Sequence, residues 1–479
     1  MKDDPTLVRK LAPFLEDNDE GLELEDGSRV AVIGGGPAGS YFTYFLLDMA
    51  SMMGLDIEVD VYEPRSFDKT GPGGCNHCGG IISESLVQLL ATEGINLPPD
   101  VVQRAIGSYV LHMDVGSVRI ETPLQEMRIG AVHRGAGPKG DLGNKWQSFD
   151  GFLQNLTVEK GANIINDRVT ELDWRLERPT VNTRGGMPKI YDLLVVATGV
   201  NSAAQRLFKD MELDYQPPRV TKTIIREYKL GEDVIETYLG NAMHVFLLDL
   251  PGLEFAAMIP KGDYVTICML GEDIDKDLFE TFLDSPEVKQ VMPPDWLLTY
   301  YACQCLPRMN VGAAVHPYGD RLVFIGDSGV TRLYKDGIGG AYRTAKAAAS
   351  TAIFHGISSE AFEKHFLPAC DALDRDNSIG RFIFGVTHQI QHRRFARRAV
   401  LRMTAQEQHK KGPTRRMSMI LWDMFTGSAP YRDIFMRTLN PFYLVKLGWT
   451  LATSIVPIGN GLPPNWVPVE RAAQAPDGE

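Results

Sequence analysis

Apolar residues near the start of the chain form three different patterns, one after the other. Residues 29–34 are a short apolar run, residues 37–53 carry apolar side chains at near-helical spacing, and residues 57–62 alternate between apolar and polar. These patterns predict a buried strand, an amphipathic helix and a second strand. After an acidic lead over residues 1–28, we therefore expect a β-α-β unit.

The pattern changes between residues 215 and 310, where several short apolar runs follow one another. Such runs predict an antiparallel sheet, here interrupted by one helix over residues 277–282. The expected strands are 221–228, 234–239, 244–248, 255–259 and 264–270.

The rest of the chain shows both helical spacing and strand-like runs of apolar residues, with two glycine-rich loops at residues 64–80 and 134–147. The expected elements are helices over 82–105, 149–160 and 341–354, strands over 107–133, 163–175, 190–197 and 322–325, and further helices from 356 to a proline-rich tail at 457–479.

A glycine-rich turn joins the first strand to the first helix. The sequence Gly-Gly-Gly-Pro-Ala-Gly begins at Gly34 and fits G-x-G-x-x-G with a strand before it and a helix after it. Gly34 permits the tight turn, Gly36 lets the backbone approach a pyrophosphate, and Gly39 lets the helix pack on the strand. The helix start, with Pro37 and Ala38, offers N–H groups and a partial positive charge to the phosphates.

A carboxylate completes this fingerprint. Glu63 ends the second strand, where it can accept hydrogen bonds from both ribose hydroxyls. Residues 135–140 also fit G-x-G-x-x-G, but no apolar strand precedes them and no helical pattern follows. We therefore expect a loop there and a single dinucleotide site.

Motifs far along the chain indicate FAD rather than NAD. The strand at 322–325 ends in Gly326 and Asp327, and a carboxylate there can hold a ribityl hydroxyl of a flavin. The strand and loop over residues 192–199, which end at Gly199, are typical of such flavoproteins.

A second glycine turn lies where the other end of a flavin is expected. Gly337, Ile338 and Gly339 precede an alanine-rich helix, so backbone N–H groups can reach the pyrimidine edge of the ring. There they can stabilise the anionic reduced flavin.

These features predict an α/β protein with a Rossmann-type FAD-binding domain, an antiparallel-sheet substrate domain and a helical C-terminal extension. The FAD-binding domain is expected from residues 29–214 and 311–355, the substrate domain from 215–310, and the helical region from 356–479.

Composition narrows the function. The 479 residues are 44% apolar and 23% charged, as in a globular protein of several domains, and the net charge of -12 argues against nucleic-acid binding. Six cysteines make no disulfide framework in a chain this long. We find neither a secretory signal nor a run of about eighteen apolar residues, so the expected location is the cytoplasm.

These motifs, together with the sequence Cys-Gly-Gly-Ile at 78–81, resemble those of the flavoproteins that include p-hydroxybenzoate hydroxylase, and most of all the geranylgeranyl reductases. The resemblance covers about residues 29–355. It implies that Gly79 and Gly80 lie in a loop over the flavin and that Arg134 contacts it. Further residues expected at the cofactor are Arg65 and Val169.

The chain departs from that family at three places. Tyr334 stands where the family has a proline after Gly-Asp, and residues 255–260 lack the tryptophan of its aromatic strand. Trp146 replaces the arginine that precedes the Phe149-Asp150 pair, and Arg134 is the residue that we assign in its place.

The sequence Cys-Asn-His-Cys over residues 75–78 leaves several interpretations open. Cys78 can act as a single thiol that positions or protonates substrate beside the flavin, as the resemblance implies, or Cys75 and Cys78 can form a redox dithiol. A metal site with Cys303 and Cys305 is a third interpretation, and thiols without chemistry a fourth. His77 is a further catalytic candidate, although a loop histidine is more often merely hydrogen-bonded.

The C-terminal region reverses the charge of the chain. Residues 391–416 hold nine Lys or Arg against one acid, and apolar stretches follow at 417–425 and 442–456. Basic residues beside aromatic ones suit a helix in the headgroup zone of a membrane. We expect peripheral membrane contact, with a hairpin over the substrate cavity or a dimer interface as alternatives. The aromatic residues concerned are Trp422, Phe442, Tyr443 and Trp449.

The expected function is that of an FAD-dependent oxidoreductase that reduces C=C bonds of a long apolar, isoprenoid-type substrate. The electron donor is NAD(P)H or a ferredoxin-like protein. A flavin-dependent monooxygenase or halogenase of the same fold would instead need oxygen, and a carrier of prenyl lipids would need no redox-active flavin.

Overall fold

The computed structural model describes residues 22–75, 79–122, 129–139, 147–208, 214–272, 274–294, 296, 301–408, 410 and 414–455. The predictions for the acidic lead before residue 22, for His77 and Cys78, and for the tail after residue 456 fall outside these ranges.

A six-stranded sheet contains the predicted β-α-β unit at its centre. All neighbouring strands run parallel except for one antiparallel hairpin at the edge. In spatial order the strands are Tyr318–Gly319, Leu322–Phe324, Leu193–Val196, Arg29–Ile33, Glu58–Tyr62 and Asn163–Ile165. Because parallel strands end at the same edge, the loops that follow Ile33, Val196 and Phe324 leave the sheet side by side.

The helices divide between this sheet and the C-terminal region. In chain order they are α1 (Pro37–Met53), α2 (Glu84–Thr92), α3 (Phe149–Glu159), α4 (Glu232–Tyr238), α5 (Lys276–Leu283), α6 (Pro286–Lys289), α7 (Gly337–Phe354), α8 (Ser359–Ala361), α9 (Leu367–Gln391), α10 (Arg394–Gln408), α11 (Arg416–Thr426), α12 (Tyr431–Thr438) and α13 (Pro441–Ile455). Short 3₁₀ segments in the described ranges include Gly71–Gly73, Ala203–Phe208 and Gly326–Ser328, and a π-helical turn, Phe362–Phe366, joins α8 to α9.

Helices α1 and α7 lie together on one face of the parallel sheet. The ring of Tyr342 packs edge-on against Tyr41 and Phe45, with centroids 5.8 and 5.4 Å apart. Alanines at one side of α7, such as Ala345 and Ala348, are fully buried and allow this close approach. The N-termini of both helices are thereby brought to the same edge of the sheet.

The second sheet has seven strands and is antiparallel apart from one pair. In spatial order the strands are Tyr301–Cys305, Ile224–Lys229, Tyr264–Gly271, Leu253–Lys261, Ala242–Phe246, Ser108–Met113 and Gly116–Glu121. The last two strands come from residues 108–121, so this sheet extends beyond the 215–310 segment to which the sequence pattern assigned it. The parallel pair joins Ala242–Phe246 to Ser108–Met113.

The other described strands form three small sheets. They are Lys189–Ile190, Arg178–Thr183 and Val169–Arg175; Ile81–Ile82, Ile129–Val132 and Val102–Ile106; and Val220–Lys222 with Arg308–Asn310.

Two predicted elements were wrong. Residues 234–238 belong to α4 and Leu239 is its C-cap, so the predicted strand is absent; Ile235 and Leu239, both buried, stand four residues apart and two acids occupy the first turn. The helix expected over 82–105 ends at Thr92, and its second half contains the strand Val102–Ile106.

The C-terminal helices cover one face of the second sheet. Trp422 and Phe425 of α11 pack on Tyr109 and Phe255, and Tyr443 of α13 joins the same core. Trp422 and Tyr443 are therefore core residues, and their placement in a headgroup zone was wrong. Within the described residues, no helix combines the length and apolar character needed to cross a bilayer.

Candidate cofactor and substrate site

The turn after the first strand has no room for side chains at three glycines. Gly34 has φ of 106°, and a Cβ there would lie 2.5 Å from the carbonyl oxygen of Ala197. A Cβ at Gly39 would overlap the carbonyl oxygen of Gly34, and one at Gly35 would overlap Nε2 of Gln154. Gly36 precedes α1 without a side-chain cap, so the first N–H groups of α1 face the turn. This backbone geometry is that of an anion site at a helix start.

Glu63 holds its carboxylate against this turn. Its Oε2 accepts the N–H of Gly35 and its Oε1 accepts the N–H of Arg65, both at 3.0 Å. Burial raises the pKa of Glu63, while the N–H groups of Arg65 and Gly35 oppose that rise. The Glu63 carboxylate thus lies within the turn, at the position where the sequence predicts that the ribose of the dinucleotide binds.

Gln154 is a polar residue of the turn that sequence reasoning missed. It lies on α3, and its buried Nε2 has no hydrogen-bond partner among the described residues. A buried amide donor without a partner is costly, and a phosphate or ribose oxygen in the turn would satisfy it. No local motif marks Gln154, because only the packing of α3 beside Gly35 brings it there.

The loop that carries Asp327 contacts the start of α1 directly. A Cβ at Gly326, where φ is 60°, would lie 2.6 Å from the Cβ of Ala38. The N–H of Gly326 donates to Oγ1 of Thr344 on α7 at 2.9 Å. Burial raises the pKa of Asp327, and Thr331 and Arg134 act in the opposite direction. The structure thus brings together the turn at Gly34 and the Gly-Asp motif.

The second glycine turn is the beginning of α7. The helix starts at Gly337, four residues earlier than predicted, and Asp336 precedes it in the left-handed region with φ of 49°. A Cβ at Gly339 would overlap the carboxylate of Asp336, which pairs with Arg332 at 2.9 Å and Arg343 at 3.3 Å. The N–H groups at 337–339 therefore form a helix N-terminus.

The Gly79-Gly80 loop lies on the second sheet. A Cβ at Gly79 would come within 3.3 Å of Ile259 and 3.7 Å of Cys268. Gly80 has φ of 72°, and its carbonyl accepts the N–H of Val132 at 2.7 Å. The loop therefore packs on the apolar sheet face whose core also includes residues of the C-terminal helices.

Three ionisable side chains, two of them buried and one half-buried, lie close together beside this loop, and no local pattern in the sequence predicts them. Nζ of Lys261, with its side chain 1% exposed, lies 3.9 Å from Oε1 of Glu227, and Nδ1 of His133 lies 3.6 Å from the same oxygen. Thr266 donates to that oxygen at 2.9 Å. Burial lowers the pKa of His133 to about 4, so this histidine is neutral at pH 7 and Glu227 pairs with Lys261.

Arg134 pairs with Asp150 at the start of α3. Nη2 of Arg134 donates to Oδ2 of Asp150 at 2.9 Å, and Nε donates to Oδ1. The Asp150 side chain is fully buried. Because Arg134 also opposes the rise in the pKa of Asp327, its guanidinium lies within electrostatic range of that carboxyl.

Three other predicted cofactor residues have different environments. The Val169 side chain packs in the core on the sheet face opposite α1, which leaves only its backbone for a ligand. Gly199, with φ of 65°, accepts from Oγ of Ser328 at 3.5 Å, beside Asp327. Arg65 reaches the carbonyl oxygen of Cys75 with Nη1 at 3.5 Å.

The cysteine motif is described only in part. Cys75 is half-buried, whereas His77 and Cys78 fall outside the described residues. Burial raises the pKa of the half-buried Cys303 thiol. In the described part of the chain, no group of three or more His, Cys, Asp or Glu residues could hold a metal ion.

Comparison with known sequences gives one distant relative. The chain is 24% identical over 256 residues to geranylgeranyl diphosphate reductase of Synechocystis, and the match takes in 50% of this chain and 54% of that protein. The chain thus spans about half the length of the curated relative that it matches. No protein-family model matches the chain.

Solved structures with the same fold are flavoenzymes. A mutant of the halogenase PltM in complex with FAD matches with a TM-score of 0.57 at 12% identity, over 94% of each chain. The p-nitrophenol 4-monooxygenase PnpA from Pseudomonas putida matches with a TM-score of 0.52 at 15% identity, over 88% of this chain and 99% of that one. The fold is therefore that of FAD-binding Rossmann-type oxidoreductases with a helical C-terminal region.

Proposed function

We propose that this protein is an FAD-dependent oxidoreductase that reduces C=C bonds in a long apolar, isoprenoid-type substrate. The observation that carries the proposal is the contact of Gly326 with Ala38, because it places the Gly-Asp loop against the pyrophosphate-type turn. Two motifs separated by almost 300 residues would thereby form one elongated cofactor site.

The residues present fit FAD. The glycine turn at 34–39 would hold the pyrophosphate and Glu63 the adenosine ribose. Asp327 would hold the ribityl chain, and the N-terminus of α7 at Gly337 would face the pyrimidine edge. Nε2 of Gln154 is buried and has no hydrogen-bond partner among the described residues, and this supports a polar ligand in the turn that would accept its hydrogen bond.

The sheet face beside Gly79 supports an apolar substrate. Ile259 and Cys268 contact this loop, and both belong to the apolar core between the second sheet and the C-terminal helices. The distant relationship to a geranylgeranyl diphosphate reductase supports an isoprenoid chain. The substrate would thus lie between this sheet and the cofactor, under the C-terminal helices.

When bound and reduced, FAD supplies a hydride to one alkene carbon. The chain's own residues orient the alkene, exclude water and provide a proton for the other carbon. The N-terminus of α7 at Gly337 contributes a partial positive charge, which would stabilise the negative charge of the reduced flavin ring. We assign the proton to Cys78 or to a water beside it, with Cys75 and His77 as weaker candidates. The electron donor is NAD(P)H or a ferredoxin-like protein.

Anaerobic stopped-flow kinetics test this reaction. The reduced flavoprotein should be reoxidised without oxygen by a prenyl lipid that contains C=C bonds, and not by its fully saturated analogue. Mass spectrometry should then show two added hydrogens per reduced bond. Turnover that occurs only with oxygen would instead identify a monooxygenase or halogenase of the same fold, and a protein that stays colourless after FAD addition would identify a carrier.

Replacement of Cys78 by Ala should slow this anaerobic reoxidation about 100-fold or more, because proton donation contributes on the order of 10²–10⁴ to such steps. FAD content should not change. The matched control is Cys370→Ala, since Cys370 is a buried core thiol on α9. Equal rates for the Cys78 variant and the wild-type protein would remove this thiol from the mechanism.

A further inference from the structure

Helix α13 presents an apolar face to solvent and a partly polar face to the protein. Its buried residues are Tyr443, Thr450 and Ser454. Every residue of α13 that is classed as exposed is apolar or glycine: Pro441, Phe442, Leu444, Val445, Gly448, Trp449, Ala452 and Ile455. A surface helix of a soluble protein normally has the opposite arrangement.

Specific contacts fix this orientation. The hydroxyl of Tyr443 donates to the sulfur of Met417 on α11 at 3.6 Å, and Nζ of Lys446 lies 3.6 Å from the buried carboxylate of Glu407 on α10. A rotation of α13 that buried Trp449 would break both the Tyr443 contact and the Lys446 contact. The outward apolar face is therefore a property of the packed helix.

The large apolar residues on this face are strongly exposed. The exposed fractions are 87% for Phe442, 74% for Val445 and 72% for Trp449. Met436 of α12 and Leu439, which follows the end of α12, are also exposed. We call Met436, Leu439 and the eight exposed residues of α13 the apolar face. A group of large exposed apolar residues of this kind marks a binding site for a protein or a membrane.

The surrounding charge selects the occupant. Residues 391–455 contain twelve Lys or Arg and three acids, a net charge of +9 in a chain whose total is -12. Arg393 and Arg432 are exposed, and Arg398 and Arg402 are partly exposed on α10, which packs on α13. A dimer across the apolar face would place two such positive regions against each other, which is unfavourable. An anionic lipid surface offsets the same charge.

We propose that the apolar face docks on a membrane surface that contains anionic phospholipids. Phe442, Val445 and Trp449 would enter the boundary between headgroups and acyl chains, while Arg398 and Arg402 of α10 would lie near the phosphates. For the reductase this docking brings a membrane-dissolved prenyl chain to the C-terminal helices that cover the substrate region. In that respect the inference rests on the proposed function, but the binding itself does not.

Cosedimentation of the FAD-loaded full chain with vesicles tests the docking. Wild-type protein should bind vesicles of phosphatidylcholine mixed with phosphatidylglycerol. The Phe442→Ser/Trp449→Ser variant should bind at least about tenfold more weakly, because two large apolar side chains no longer leave water. The matched control is Met52→Ser, which removes an apolar side chain that is 77% exposed on α1.

A second variant tests how much the positive charge contributes to vesicle binding. The Arg398→Gln/Arg402→Gln variant should lose affinity for the phosphatidylglycerol vesicles. Added salt should likewise weaken the binding of the wild-type protein to these vesicles. Equal vesicle binding by the wild-type protein and the Phe442→Ser/Trp449→Ser variant would overturn the inference. So would a wild-type dimer that this variant dissolves in the absence of any vesicle binding, because the face would then join two copies of the chain.

The outcome is independent of the redox assay. Vesicle binding without alkene reduction would retain the docking surface and remove the proposed reductase. Alkene reduction of a detergent-dispersed substrate without vesicle binding would do the reverse.

Discussion

Replacement of Gly39 by Ala is expected to weaken FAD binding about 100-fold or more, equivalent to roughly 3 kcal/mol. The added Cβ would overlap the carbonyl oxygen of Gly34 and lie 3.1 Å from Cγ1 of Val32. Neither obstacle is the end of a flexible side chain, so α1 must move away from the strand. That movement displaces the N–H groups that we assign to the pyrophosphate.

The measurement is a titration of flavin fluorescence, with thermal unfolding of the FAD-free protein as a second readout. The control is Gly385→Ala in α9, where no described atom beyond the adjacent residues and the helix's own backbone lies within 4 Å of the added Cβ. That variant should bind FAD normally and gain up to about 1 kcal/mol of stability, since alanine is the better helix former. Normal FAD affinity in Gly39→Ala would show that the turn does not hold the cofactor.

Replacement of Asp150 by Ala is expected to lower the free energy of unfolding by about 3–5 kcal/mol. The fully buried carboxylate pairs with Arg134 through two hydrogen bonds, and its removal takes this charged partner away from a guanidinium whose side chain is only 10% exposed. The change also removes an acid from the first turn of α3, where it interacts favourably with the helix dipole. Urea denaturation of the FAD-free protein measures the loss.

Two further variants separate the ion pair from general damage. Arg134→Met/Asp150→Leu removes both charges and should recover most of the stability, while FAD affinity stays reduced if Arg134 contacts the cofactor. Asp173→Ala breaks the exposed pair with Arg175, whose atoms are 3.2 Å apart, and should cost less than about 1 kcal/mol. A loss of similar size in Asp150→Ala and Asp173→Ala would contradict the role given to burial.

The parts of the site that the sequence predicted obey local rules. The turn at Gly34 needs glycine for its positive φ, Gly339 at the start of α7 leaves room for the Asp336 carboxylate, and each segment stands beside a recognisable strand or helix. The parallel order of their strands follows from the β-α-β connection. That order is sufficient to predict that the loop carrying Asp327 returns to the same edge of the sheet.

The parts that the sequence missed depend on contacts between distant segments. Glu227, Lys261 and His133 come from three different strands or loops, and nothing near any of them in the chain signals a partner. Gln154 differs from other polar helix residues only because α3 packs beside Gly35. Pairing across a sheet and helix packing decide these positions, and a local pattern contains neither.

Trp422 and Trp449 show the same limit in the C-terminal region. Both are aromatic residues in apolar stretches that follow a basic segment, and the sequence treats them alike. The structure buries Trp422, which is 1% exposed, and leaves Trp449 72% exposed. Composition predicts that an apolar face exists, but the packing of α11 and α13 decides which face remains outside.

The central claim is that one FAD molecule is held at both ends, by the turn at Gly34 and by the loop at Asp327. The most direct measurement is the dissociation constant of FAD and of ADP for the wild-type protein and for Asp327→Leu. We predict one FAD per chain, a loss of about 10–100-fold in FAD affinity in the variant, as expected for a lost charged hydrogen bond, and unchanged ADP affinity. Equal loss for both ligands, or no saturable FAD binding by the wild-type protein, would contradict the account.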